Sequence, residues 1–91
     1  MLSEIPVNLQ AVKKKDLDKE IMRAAMIAEL DAVNLYESMA ALTDNEDLAA
    51  ILHDVAREEK VHVAMFQTVL MEVDREYMKV MADYALGKGR V

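Results

Sequence analysis

From Leu48 to Val73 the apolar residues return every three or four positions: Leu48, Ile51, Leu52, Val55, Val63, Phe66, Val69, Leu70 and Val73. That spacing describes one face of an α-helix and not the two-residue alternation of a half-buried strand. Stepping round at about 100° per residue places Glu59 and His62 within roughly 40° of the centre of the stripe. A carboxylate buried there without a partner would cost several kcal/mol or be forced to hold a proton. The pair therefore has to be satisfied, either by one another or by a cation that both residues ligate.

The remaining composition supports helices throughout. The chain has 91 residues, of which 54% are hydrophobic, with two Gly and one Pro. This length makes one small domain. Two helices of this size bury little apolar surface and are only marginally stable alone, so an oligomer is expected. The absence of Cys excludes disulfides, zinc ribbons, iron–sulfur clusters and a four-cysteine iron centre. The first apolar stretch is broken by Glu4, Pro6 and Asn8, so it does not read as a signal peptide, and no apolar run reaches membrane-spanning length. A net charge of −6 argues against nucleic-acid and anionic-membrane partners and favours cations near the surface. Lys13-Lys14-Lys15, the one basic run, reads as a solvated arm.

The whole chain, 1–91, reads as a single domain: an N-terminal arm over 1–15, a helical core over 16–86 and a tail over 87–91. Pro6 disfavours an early helix. The first helix is predicted to start near Asp16–Asp18, where acidic side chains complement the positive end of the helix dipole, and to end near Leu42. A short turn follows, with Thr43 or Asp44 capping a second helix that runs to about Glu72. So short a link makes the two helices antiparallel neighbours. Asp74 can cap a third helix over roughly 75–86, ending at Gly87; the alternative is one continuous helix to residue 86.

On the first helix, Glu29 is the carboxylate inside the apolar arc, flanked by Ala25, Ala28, Ala32, Val33 and Tyr36. Its small neighbours allow a partner helix or metal to approach. Glu20, Asp31, Glu37 and His53 read as surface residues. If the helices pair as predicted, Glu29, Glu59 and His62 converge. Glu-x-x-His projects a carboxylate and an imidazole from one helix face, as metal-binding helix bundles require. Two carboxylates and an imidazole, without thiolate, suit Fe(II), Mn(II) or Zn(II). The motif occurs once, so the chain encodes half a site. Two copies about a two-fold axis would give four carboxylates and two imidazoles, a di-iron carboxylate set. Tyr36, seven residues after Glu29, shares its face and reads either as a packed tyrosine or as a neighbour of the metals. The eight methionines read as gap-filling core or interface residues.

The segments Ala28-Glu29-Leu30-Asp31-Ala32-Val33-Asn34-Leu35-Tyr36-Glu37 and Ala56-Arg57-Glu58-Glu59-Lys60-Val61-His62-Val63-Ala64-Met65-Phe66 strongly resemble the encapsulated ferritins of the ferritin-like superfamily. The resemblance covers roughly residues 17–86. It implies an all-α fold: an antiparallel two-helix hairpin with a short third helix, dimerising into a four-helix bundle. It further implies an open ring, a decamer built from dimers, with a ferroxidase centre in each bundle. By position Glu29 would be the terminal carboxylate, Glu59 the bridging one and His62 the terminal imidazole, with Tyr36 beside them. Such proteins oxidise Fe(II) with O₂ and depend on an encapsulin shell to store the mineral, which implies a cytoplasmic location within an encapsulin nanocompartment. Some members carry Glu just before the ligand Glu and Trp just before the Tyr, where this chain has Ala28 and Leu35. Asp31 remains a candidate for metal entry. No clear encapsulin-targeting peptide is identified in the tail, so the shell rests on resemblance alone. The competing readings are a rubrerythrin-like di-iron peroxidase and a metal-free helical assembly or adaptor.

Overall fold

The computed structural model describes residues 8–85. The expected tail, and the expected end of the third helix at Gly87, lie outside the described residues. Three α-helices follow two short 3-10 turns, Leu9–Ala11 and Lys14–Asp16: α1 spans Leu17–Leu42, α2 Glu46–Val73 and α3 Arg75–Asp83. No strand occurs among the described residues. No described helix is long and apolar enough to cross a membrane.

Asp18 and Glu20 occupy the first turn of α1, where the helix dipole favours negative charge. The helix stops because Thr43 turns extended, its amide donating to the Met39 carbonyl at 3.2 Å. The cap of α2 is Asn45, not Thr43 or Asp44 as expected: Asn45 Oδ1 accepts from the Leu48 amide at 3.0 Å. Thr43 serves one step earlier, its hydroxyl accepting from the Asn45 amide at 3.1 Å. Two successive side-chain acceptors thus order the link and fold α2 back along α1. Asp74 does cap α3, as its position predicts.

The hairpin closes through small side chains. Ala24, Ala32, Val33 and Ala40 of α1 and Ala56 and Leu70 of α2 are buried. Alanines facing one another let the helix backbones approach closely, but they bury little apolar area. Larger apolar residues remain open, among them Ile51 at 60% and Leu30 at 50% exposure. The molecule measures 46 × 38 × 17 Å, with a radius of gyration of 16.3 Å. A compact domain of this length would have about 12 Å. The molecule is therefore a slab one hairpin thick, with large apolar side chains left open among the described residues.

Candidate metal centre

Glu29 stands midway along α1, and Glu59 and His62 stand one turn apart midway along α2. Antiparallel pairing brings the two levels together. One ligand atom from each of the three lies within 4.8 Å of the others. His62 Nδ1 is 3.2 Å from Glu29 Oε2 and 3.6 Å from Glu59 Oε2. The Glu29 hydrogen bond, its charge and that of Glu59 hold the imidazole pKa above the usual histidine value, against partial desolvation. The Glu59 carboxyl is likewise raised, first by its hydrogen bond with Glu29, then by burial and the Glu29 charge, with His62 pulling the other way. Two carboxylates this close repel, and a proton or a cation between them relieves the repulsion.

The expected burial of the motif is only partly met. The side chains of Glu29 and Glu59 are 23% and 19% exposed, but that of His62 is 46% exposed. The cause lies in which flank of the stripe α1 covers. α1 packs on the flank of Ala56 and leaves that of His62 open. Ile51, Val69 and Val73 stand within about 20° of His62 around α2, and they are 60%, 40% and 38% exposed. The imidazole thus sits in line with an apolar strip left open among the described residues.

Tyr36 is half-buried two turns along α1 from Glu29 and makes no hydrogen bond to the three ligands among the described residues. Asp31 is half-buried but stands about 200° around α1 from Glu29, outside the cluster. His53 is exposed, as expected. Glu20 and Glu37, read as plain surface charges, have partners. Glu37 receives Lys60 of α2 at 2.8 Å, a hydrogen bond that holds its carboxyl below the usual range. Glu20 receives Arg23 at 3.0 Å. Arg23 also donates to Asp74 at 2.7 Å, a contact over 51 residues that helical periodicity does not signal.

The EncFtn-like family profile matches residues 5–87. A ferritin-like–encapsulin shell fusion protein of Pyrococcus furiosus is 49% identical over 78 residues, covering 84% of this chain and 23% of that protein. The encapsulin nanocompartment cargo protein EncC of Myxococcus xanthus is 43% identical over 68 residues, covering 71% of this chain and 52% of that protein. The chain thus spans at most about half the length of these two relatives. The crystal structure of the encapsulated ferritin domain from Pyrococcus furiosus superimposes with a TM-score of 0.74 at 41% identity, covering 94% of this chain and 95% of that one.

Proposed function

The chain belongs to the EncFtn-like family, and from that premise we propose that it oxidises Fe(II) to Fe(III) at a di-iron carboxylate centre completed by a second copy of itself. The observation that carries this reading is the convergence of Glu29, Glu59 and His62 within 4.8 Å at the edge of an uncovered apolar strip. The donor set fits the substrate, since hard carboxylate oxygens with one imidazole suit Fe(II) and hold the ferric product more tightly still. A two-fold axis through the open face doubles the set to four carboxylates and two imidazoles. Glu59 would serve as the carboxylate shared by the two Fe(II), with Glu29 and His62 as the terminal ligands. Each Fe(II) gives up one electron and O₂ accepts them. Before iron arrives, the Glu59 carboxyl holds a proton more readily than a free glutamate does, and cation uptake competes with that proton. Tyr36, on the Glu29 face of α1, serves beside the centre as a hydrogen-bond donor to a ligand carboxylate once the second copy closes the site.

Residues 1–91 form a single ferritin-like domain. Kinship with a shell-fusion protein and a nanocompartment cargo protein supports an encapsulin shell as partner, and hence a cytoplasmic location inside that compartment. The dimers assemble further into a ring, a decamer, which cannot itself enclose mineral. The test is the rate of Fe(III) formation in Glu59→Ala and His62→Ala, with helicity followed by circular dichroism. Oxidation should fall by about tenfold or more, with the helix signal retained. Helicity lost in step with activity would make the cluster structural. Faster turnover with hydrogen peroxide than with O₂ would assign a peroxidase.

A further inference from the structure

The break between α2 and α3 is made by a side chain and not by a helix-breaking residue. From Val69 to Asp83 the sequence contains neither Gly nor Pro, and nothing in its backbone chemistry demands a bend. Yet Asp74 leaves the helical region, with φ −124° and ψ 90°. Its amide still closes α2 on the Leu70 carbonyl at 2.8 Å, and its carbonyl already opens α3 on the Met78 amide at 3.1 Å. The amides of residues 75–77 thereby forgo the carbonyls they would reach in an unbroken helix. One of them is compensated, because Asp74 Oδ1 accepts from the Tyr77 amide at 3.1 Å. Asp74 Oδ2 accepts from Arg23 Nη2 of α1 at 2.7 Å. This carboxylate is buried at 7% exposure, and Lys19 and Arg23 are the α1 cations acting on it. Among the described residues α3 packs on α2 and not on α1 at the level of the backbone. Arg23 is thus the polar tie from α1 to the corner.

We propose that the Arg23–Asp74 pair is a latch that selects the bent form of a two-state element, whose other state is one straight helix through α2 and α3. In the bent state Tyr77 walls an open apolar groove of about 370 Å³, with Met26, Ile27 and Leu30 of α1 and Leu70 of α2 as the other sides. Straightening restores the three backbone hydrogen bonds, carries Tyr77 away and dismantles the groove. The latch therefore decides which surface this end of the molecule presents.

The chain has no Cys, so labels at Ala50→Cys and Ala82→Cys are unambiguous. Spin-labelled full-length chains, diluted into unlabelled protein, report the separation by pulsed electron resonance. A straight helix places these positions about 48 Å apart, and the bend makes the distance shorter. Arg23→Met and Asp74→Ala should move the distribution to the long distance. Asp74→Asn, which keeps an acceptor for the Tyr77 amide but loses the charge, should move it the same way. Amide exchange in α1 should stay at the wild-type level in all three. An unchanged distance in Arg23→Met overturns the latch. So does a broad distribution that never reaches the straight value, which would mean a frayed α3. An Asp74→Asn chain that stays bent would leave the cap alone as the cause, and faster exchange throughout α1 would make Arg23 a determinant of the hairpin; either result also refutes the proposal.

Discussion

Replacing Ile51 by serine should weaken dimerisation without unfolding the hairpin. Ile51 lies on the strip that carries His62 and is 60% exposed in the single chain. Burying an isoleucine fully is worth about 1.5–3 kcal/mol. The portion still open therefore leaves about 1–2 kcal/mol per chain to be gained on association. A two-fold interface counts it twice, about 2–4 kcal/mol per dimer. The dissociation constant should rise by about 30- to 700-fold. Because the side chain is already open before association, the hairpin itself should change by no more than about 0.5 kcal/mol. Sedimentation over a concentration series reads the association, and circular dichroism on the same samples reads the fold. Iron uptake should fall with dimer concentration, because half a site holds metal poorly. A dissociation constant within about threefold of wild type, well under one power of ten, would refute the assignment of this strip to the interface.

Two further outcomes follow from the core and the corner. Leu70→Ala should destabilise the protein by about 2–3 kcal/mol in urea unfolding, the lower part of the range for such changes, because Leu70 is buried but borders a groove that solvent can fill. The Asp74 carboxyl is held below its usual 3.8, first by the Tyr77 amide and then by Arg23, against burial. A depressed carboxylate binds more protons unfolded than folded, so its stabilisation is present above 3.8 and is lost as pH falls through the folded value. Acid unfolding should therefore show wild type and Asp74→Asn diverging near neutral pH and converging below the ordinary carboxylate range; a constant gap would contradict the assignment.

The helices were legible because periodicity and caps agree. The stripe from Leu48 to Val73 and the acidic first turn after Asp16 locate α1 and α2 to within a residue or two. The convergence of Glu29, Glu59 and His62 also follows from spacing, since a short link forces antiparallel pairing. The choice of Asn45 over Thr43 or Asp44 as cap was not legible, because all three can accept a backbone amide and only the realised turn decides among them. The exposure of His62 was missed for another reason. A helical wheel shows an apolar face but not how much of it a single partner helix covers. The Arg23–Asp74 tie escaped because its members lie 51 residues apart, and only the register of the hairpin brings them together.

The most direct test of the shared centre is native mass spectrometry of the apo-protein during an anaerobic Fe(II) titration. The expected result is dimers or larger even-numbered assemblies that saturate at one iron per chain. Two irons held by a monomer would contradict the shared centre, and an absence of iron uptake would return the Glu29, Glu59 and His62 cluster to a purely structural role.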